Sequence, residues 1–323
     1  MDNRLTKRRL SDFLAYEWIL MIVVALVAII ILELAYTVAA TRLSTGQQFK
    51  YYMDEDIYSF DAADKSIYDL LGVETGKNGK TFSYDVLSVD FENLNSSYNV
   101  LSVRLSIQEG DAIFTSSVEE EGKSVRVKNV IDEFSVYDMQ SLLISAQEYL
   151  TKFVKVGGDI YNPDDYDENK IRNHFDARMK GDKRFKQESE KEEGRQNEIG
   201  RIKKLADEVK DFEYVLSIGE EKGLFYRYTK YAQSYNANPD NETSKKLYEK
   251  EVAEGRENLV YGFNMAKLTG GERNVADYLT ISGTGSAQNV VLVLFDFADY
   301  QPDLQYEGIS FFNTLVREFS DIL

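Results

Sequence analysis

A cluster of tyrosines in the second half of the chain is the best candidate for ligand binding. Its members are Tyr226, Tyr228, Tyr231 and Tyr235. We expect a helix over 224–235, on which Tyr228, Tyr231 and Tyr235 share one face because they are spaced i, i+3 and i+7. Three phenol rings on one face could stack on sugar rings or on peptide side chains. The alternative is that these rings pack in the core and leave their hydroxyls at its rim.

Residue types that often carry catalysis form no recognisable pattern. His174 is the only histidine, so it cannot build a multi-histidine metal site, and we expect it on the surface of a charged helix. Gly79-Lys80-Thr81 has the ending of a phosphate-binding loop, but Glu74 stands where that loop requires glycine. No nucleophile elbow, zinc-protease helix or paired-carboxylate signature stands out. The sequence therefore predicts no catalytic residue, no metal ligand, no cofactor and no enzymatic activity.

An acidic cluster follows Gly157-Gly158, but its spacing differs from that of a calcium loop. Its members are Asp159, Asp164, Asp165, Asp167 and Glu168. Calcium loops place oxygen ligands at alternating positions around a central glycine, a pattern that is missing here. Asp164 or Asp165 as the N-cap of a helix, with Asp167 and Glu168 in its first turn, fits the electrostatics of a helix start better.

The elements that position these residues begin with an apolar stretch near the N-terminus. Every residue over 18–32 is apolar, and the stretch continues beyond Glu33 to Ala40. A helix over 18–40 is about 34 Å long at about 1.5 Å per residue, which is enough to span a bilayer. A cleaved signal peptide is the alternative, since 38–40 are small residues. However, the apolar core exceeds the roughly 7–15 residues of such a signal, which favours an uncleaved anchor.

The charges on the two sides of this stretch predict its orientation. Four basic residues precede it, and two follow it before the acidic run at 54–56; they are Arg4, Lys7, Arg8 and Arg9, then Arg42 and Lys50. The positive-inside rule places the N-terminus in the cytoplasm and the remaining chain outside. We therefore expect a single-pass protein of the cell membrane, with a cytoplasmic tail over 1–17, contact with membrane lipid through 18–40 and an extracellular C-terminal domain.

The composition is that of an acidic, folded protein. The 323 residues are 43% hydrophobic and 13% aromatic, contain no Cys and carry a formal net charge of −17. Such a surface repels nucleic acid, so we exclude nucleic-acid partners. Without Cys, the chain has no disulfide, no lipidated cysteine and no Cys-based metal or catalytic site. Abundant Lys, Glu, Asn and Tyr with only three Pro are typical of bacteria with AT-rich genomes.

Strands and helices alternate in the first part of the outer domain. We expect a strand over 49–53, a helix over 62–71 and a strand over 84–91. Residues 95–108 allow two structures, because their apolar residues fit a strand through Leu101, Val103, Leu105 and Ile107 and a helix through Val100, Val103 and Ile107. Propensity alone does not decide between the two.

The Gly110-Asp111 turn leads into the next elements of this part. A short apolar strand over 112–115 follows the turn, and we expect another strand over 124–130. Residues 136–154 then have one apolar face at helical spacing, which predicts a helix.

Helices alone are expected over 164–267. Two of them have narrow apolar stripes, which are Ile171, Phe175 and Met179 in the first and Ile199, Ile202, Leu205, Ala206, Val209, Phe212 and Leu216 in the second. After the tyrosine-rich helix, another amphipathic helix is expected over 242–267. The apolar run 289–297 is typical of a strand buried on both faces, and a helix over 303–319 follows it. Because a lone strand needs neighbours for its backbone groups, we expect this strand to return to the first sheet.

If 95–108 is a helix, the order over 49–115 is strand, helix, strand, helix, strand. This order, with Gly110-Asp111 before the strand 112–115, resembles the first lobe of the extracellular solute-binding proteins of ABC transporters. In that family the chain leaves for a second lobe and returns, and the helix over 306–319 resembles their closing helix. The resemblance covers about half of the chain. A strand over 95–108 would give an antiparallel meander instead.

Two departures from the family bear on function. This chain has a predicted membrane anchor where family members usually carry a lipidated cysteine. Its single tryptophan, Trp18, lies in that anchor, whereas sugar-binding members typically offer several tryptophans in the cleft. The fold can therefore be kept while ligand binding is altered or lost.

These patterns together predict an α/β fold behind an N-terminal transmembrane helix. A solute-binding-protein-like α/β lobe is expected over 41–155 and 285–323, completed by the C-terminal strand and helix, with an inserted, mostly helical lobe over 156–284. The resemblance implies a non-catalytic function, either binding of a small solute such as a carbohydrate or an accessory role beside the permease of an ABC transporter. The first alternative is a structural or signalling module of the cell envelope that binds a protein partner. The second is an envelope hydrolase with two carboxylates facing each other across a cleft.

Overall fold

The structure is a computed structural model, in which the contacts divide the chain into two compact units, 1–42 and 43–323. It describes residues 18–39, 48–59, 67–70, 88–93, 98–107, 109–119, 125–182, 185–230, 241–296 and 306–323. The first unit contains helix α1 (Trp18–Ala39), in which the described side chains, Trp18 and 22–34, are all exposed. In the part of the chain that the structure describes, no helix is identified as a candidate to cross a membrane. The anchor therefore stays a prediction from the sequence.

A six-stranded mixed sheet organises the second unit. The strands of this unit are β1 (Gln48–Met53), β2 (Ile57–Ser59), β3 (Ser88–Asn93), β4 (Ala112–Ser116), β5 (Phe225–Tyr228), β6 (Leu259–Asn264), β7 (Leu279–Ile281) and β8 (Val290–Leu294). The order in the sheet is β3-β1-β4-β8-β6-β5, and β1 is parallel to both β3 and β4. The pairs β4–β8, β8–β6 and β6–β5 are antiparallel. Strands β2 and β7 form a separate antiparallel pair.

Helices lie on both faces of this sheet. In the described part of the second unit they are α2 (Ile67–Leu70), α3 (Tyr98–Ser106), α4 (Arg126–Glu133), α5 (Met139–Thr151), α6 (Glu168–Arg178), α7 (Glu188–Lys222), α8 (Glu242–Ala253) and α9 (Glu307–Phe319). Both ends of the long helix α7 are well defined. A capping box between Gln187 and Glu190 starts it, and Gly223 ends it in the left-handed conformation with φ 67°.

The predicted mixed α/β class is confirmed, as are several of its elements. Residues 98–106 form a helix, so the described elements from β1 to β4 follow the order strand, helix, strand, helix, strand. Strand β8 returns to the first sheet and pairs with β4, and α9 follows it. The helix expected over 136–154 is α5. Of the strand expected over 84–91, the described residues 88–91 belong to β3.

Three predicted elements are wrong. Residues 126–133 form helix α4 rather than a strand, because Val127, Val130 and Ile131 are spaced to bury one helical face against the sheet. The helix predicted over 224–235 is strand β5 in its described part, since Gly223 has already ended α7. The helix predicted over 242–267 stops at Ala253, and strand β6 follows. Helices alone therefore do not fill 164–267.

The acidic cluster after Gly158 caps helix α6, but at a different residue from the predicted one. The Asp167 side chain accepts hydrogen bonds from the backbone N–H groups of Asn169 (3.0 Å) and Lys170 (3.4 Å), which makes it the N-cap. Pro163 fixes a separate 3₁₀ turn over Pro163–Asp165, so Asp164 and Asp165 lie before the helix.

Two hydrophobic clusters cover the two faces of the sheet. On one face Phe311 of α9 contacts the rings of Phe49, Tyr51 and Phe114, and α5 and α7 pack around it. On the other face α3 and α4 pack on β4 and β8. The predicted α/β and helical segments share the first cluster, to which α7 contributes residues such as Phe212. The described members of both clusters all lie within 43–323, so we expect this unit to fold alone.

Candidate functional site

Two of the four candidate tyrosines lie together on the edge strand β5. Tyr226 and Tyr228 are two residues apart and half-buried, and both pack against the cluster on the α4 face of the sheet. In a strand, residues two apart share a face, so the pairing differs from the predicted helical one. Tyr231 and Tyr235 lie outside the described residues. The structure therefore places Tyr226 and Tyr228 on one surface.

Asp132 from the last turn of α4 completes this surface. The Tyr228 hydroxyl donates a hydrogen bond of 2.8 Å to Asp132 Oδ2. The other carboxylate oxygen, Oδ1, is buried and accepts no hydrogen bond in the described part of the chain. Burial raises the pKa of Asp132, although the Tyr228 hydrogen bond opposes this. Asp132 thus has one desolvated oxygen that no described residue supplies with a donor.

Lys230 lies beside this carboxyl group. Its Nζ donates a hydrogen bond of 3.0 Å to the carbonyl oxygen of Phe134, just beyond the end of α4. Burial lowers the pKa of Lys230, while the charges of Asp132 and Asp296 raise it. A half-buried amine and carboxyl group beside two aromatic rings form a polar centre in an apolar setting. Perturbed pKa values of this kind are typical of functional sites.

The two phenols are neutral at physiological pH. Burial raises the pKa of Tyr226 to about 12, and the charges of Glu119 and Asp132 add to the effect. Burial also raises the pKa of Tyr228, and its hydrogen bond to Asp132 raises it further. Neutral phenols can donate hydrogen bonds and stack, but they cannot act as bases at this pH. The chemistry of the surface therefore favours recognition of a ligand over catalysis.

Local backbone features hold β5 in this position. The register between β5 and β6 shifts between Tyr226 and Arg227. Arg227 donates a hydrogen bond of 2.6 Å to Glu220 and one of 2.9 Å to the carbonyl oxygen of Asn258. On β6, a Cβ atom at Gly262 would lie 2.6 Å from the Leu292 carbonyl oxygen, so only glycine allows this approach to β8. The Arg227 contacts therefore hold β5 to α7 and to the residue before β6, and Gly262 holds β6 close to β8.

The carboxyl ends of β1 and β4 carry a network of ion pairs. Buried Asp54 accepts hydrogen bonds from Thr115 Oγ1 (2.9 Å) and from Arg126 Nη1 (2.8 Å). Arg126 also pairs with Glu55, and with Asp56 at 2.7 Å. Open α/β sheets bind ligands beyond the carboxyl ends of their strands. Here the guanidinium group is already engaged by three carboxylates, so an anionic ligand would have to displace them.

The remaining sequence candidates are structural or lie outside the described residues. His174 lies on helix α6 and is half-buried, and its ring centroid lies 5.1 Å from that of Phe153 and 6.4 Å from that of Tyr149. Gly79-Lys80-Thr81 falls outside the described part. Within that part, no group of three or more His, Cys, Asp or Glu side chains is arranged to hold a metal ion.

Sequence reasoning missed Asp132 and Arg126. Because we expect a strand over 124–130, the sequence does not predict the helix that carries Arg126 and Asp132. The helical spacing of Val127, Val130 and Ile131 is the signal that could have found them.

Comparison with known proteins adds no relative. No family model, no curated protein and no solved structure matches this chain. The resemblance to solute-binding proteins therefore stays a prediction from the sequence.

Proposed function

We propose that this protein is a membrane-anchored, non-catalytic binding protein, similar in role to a solute-binding protein. Its outer unit captures a small polar solute at the surface formed by Tyr226, Tyr228 and Asp132. Asp132 Oδ1 carries the proposal, because it is a buried acceptor without a donor in the described residues. Such an unsatisfied group costs roughly 1–3 kcal/mol, which a ligand hydroxyl, amide or ammonium group would recover.

The chemistry of this surface selects the class of ligand. Asp132 accepts hydrogen bonds from donors, and the faces of Tyr226 and Tyr228 offer stacking area. A carbohydrate or an amino acid combines donor groups with an apolar face in this way. The Asp132 charge disfavours an anion at the same surface.

The sequence supports tethering at the membrane. Helix α1 is apolar along 18–32, and its described side chains over 22–34 are all exposed, which is unfavourable in water. Basic residues precede the helix, and the acidic outer unit follows it, with the N-terminus in the cytoplasm. A tethered receptor has a high effective concentration near its permease, so we place this protein beside an ABC transporter as a receptor or accessory component.

A thermal-shift screen of residues 43–323 against sugars, amino acids and short peptides tests the binding function. A ligand at about a hundred times its dissociation constant stabilises the folded state by about 2.7 kcal/mol, which such a screen detects. The Asp132→Asn variant should lose most of this ligand-induced shift, since an amide nitrogen can replace the free acceptor oxygen by a donor. The matched control is Glu133→Gln, an exposed acid next in the chain, which should keep the shift.

Two outcomes of this screen would contradict the proposal. One is a well-folded wild-type sample that responds to none of the three chemical classes. The other is an equal loss of the shift in Asp132→Asn and Glu133→Gln, because the effect would then come from net charge.

A stripe on α3 favours a second candidate function, binding of a protein partner in the cell envelope. Val100, Val103 and Ile107 are spaced i, i+3 and i+7 and are 46%, 63% and 59% exposed. Apolar anchors at this spacing are typical of helix-mediated contacts. A photo-crosslinking residue at Val103 should give a discrete adduct in cells, whereas one at Val156, an isolated exposed position, should not. Equal labelling from both positions would remove this candidate.

A further inference from the structure

A cleft of about 470 Å³ lies at the turn between α6 and α7, on elements that the tyrosine surface does not use. Phe175 and Met179 at the end of α6 line one side, and Arg195 on α7 lines another. Lys180, Phe185 and Lys186 come from the turn itself. The volume is within the range of about 300–1,000 Å³ that is typical of small-molecule sites.

The cleft is basic although the chain as a whole is strongly acidic. Among the described residues, four basic and two acidic side chains line it, in a protein of net charge −17. Arg195 is occupied, because it donates hydrogen bonds of 2.9 and 3.0 Å to both oxygens of Asp176 and one of 2.7 Å to Glu188. The positive charge that remains for a ligand therefore comes from the lysines.

Two of these lysines have no partner within the described residues. Lys180 and Lys186 are exposed at the rim of the cleft, and neither ammonium group forms an ion pair or a hydrogen bond there. Lys191, in contrast, lies 3.8 Å from Glu188. Two uncompensated ammonium groups at one opening attract an anion and repel a cation.

The floor of the cleft is apolar and fixed. Its accessible surface comes from half-buried Met179 and Phe185, and Phe175, only 2% exposed, packs against the Phe185 ring. The rings of Phe175 and Phe185 meet edge to face with centroids 5.1 Å apart. Both rings lie directly against Gly194 of α7, where a Cβ atom would be 2.3 Å from Phe175 Cζ and 2.8 Å from Phe185 Cε1. Glycine at this position allows the rings to approach the helix backbone, so the floor is held in place without a side chain from α7.

We propose that this cleft binds a small organic anion that has an apolar body. Its carboxylate or phosphate group contacts Lys180 and Lys186 at the rim, and its body lies on Met179 and Phe185. An inorganic anion leaves this apolar floor uncovered, and a neutral aromatic compound leaves the two ammonium groups without a partner. Only a ligand with both parts uses the whole cleft.

Isothermal titration calorimetry on residues 43–323 tests this with three probes: 2-naphthylacetate, 2-naphthylacetamide and acetate. The first should bind saturably at one site. The amide should bind at least about tenfold more weakly, because it lacks the charge that strengthens hydrogen bonds to the lysines. Acetate should bind at least about tenfold more weakly too, since it covers no apolar surface.

Matched variants assign the binding to the cleft. The double variant Lys180→Gln, Lys186→Gln should weaken 2-naphthylacetate at least about tenfold. The control Lys210→Gln, Lys222→Gln makes the same charge change at exposed positions of α7 outside the cleft and should leave the affinity unchanged. Asp132→Asn should also leave it unchanged, which separates this cleft from the tyrosine surface.

Three results would overturn the proposal. They are the absence of saturable 2-naphthylacetate binding to the folded protein, equal affinities for the acid and its amide, and an equal loss of affinity in the two lysine double variants.

Discussion

Replacing Asp111 by asparagine should remove a pH dependence of the folding stability that the structure assigns to one carboxyl group. Asp111 Oδ2 accepts a hydrogen bond of 2.7 Å from the backbone N–H of Lys50, and the Asp111 N–H donates one of 2.7 Å to the Lys50 carbonyl oxygen. Burial of the carboxyl group raises its pKa to about 7; the Lys50 hydrogen bond opposes this, and the charge of Glu307 adds to it.

The sign and size of the effect follow from linkage. The ordinary pKa of this group is 3.8, so the folded protein binds its proton more tightly than the unfolded chain does. The resulting stability is fully present below the unfolded pKa and is lost as the pH rises to about 7. A shift of about three units, at about 1.4 kcal/mol per unit, sets an upper bound of about 4 kcal/mol. Because the residue is partly exposed, we expect roughly 2–4 kcal/mol.

Urea unfolding of residues 43–323 over about pH 4 to pH 8 measures this difference. Only the wild type titrates at this position, so its comparison with Asp111→Asn isolates the contribution of the one carboxyl group. The free energy of unfolding of the variant should rise relative to wild type by the expected amount across this range. Asp207→Asn, at an exposed position of α7, is the control and should show no such trend. A difference that stays constant with pH, or that falls as pH rises, would refute the reasoning.

Three further predictions test other parts of the structure. Gly110→Ala should lower the free energy of unfolding, measured in urea, by at least about 2 kcal/mol. The reason is that φ of Gly110 is +125° and the new Cβ would lie 2.2 Å from the Tyr52 ring. An unchanged free energy of unfolding would contradict this geometry. Arg201→Met removes two buried hydrogen bonds to Glu198, of 2.9 and 2.7 Å, and should lower the free energy of unfolding by about 3 kcal/mol in the same assay. An unchanged free energy of unfolding would show that the remaining contacts of Glu198 suffice. Deletion of 1–42 should move the protein from the membrane fraction to the soluble fraction in an immunoblot, and full-length protein in the soluble fraction would refute the anchor.

The elements that the sequence predicts correctly are those with a strong local pattern. Strand β8 is a continuous apolar run, and α5 and α9 have one apolar face over three turns or more. Their type does not depend on which element they contact. Helix α4 has only eight residues, so the helical spacing of Val127, Val130 and Ile131 is a short signal, and β-branched residues such as these also favour a strand.

Strand β5 shows the same limit at the candidate site. The aromatic residues of 225–228 fit a strand as well as a helix, and Gly223 is the local signal that α7 has already ended. With that boundary, the spacing of Tyr226 and Tyr228 predicts a shared face. The sequence does not identify the residue that Tyr228 contacts, since Asp132 lies 96 residues before Tyr228 in the chain. No local pattern relates the two residues, because their contact depends on the packing of α4 beside an edge strand.

The cleft between α6 and α7 could be predicted only in part from the sequence. Phe175 and Met179 are visible in the sequence as the apolar stripe of a helix, and such a stripe normally predicts burial. The stripe extends past the end of α6, however, where the chain turns into the second helix and leaves space beside the rings. Lys180 and Lys186 of this turn are exposed at the opening of the cleft. The proposed anion site therefore depends on two features that are visible in the sequence, an apolar stripe that continues past the end of α6 and a basic turn after it, and on a space between the helices that only the packing of α6 against α7 creates.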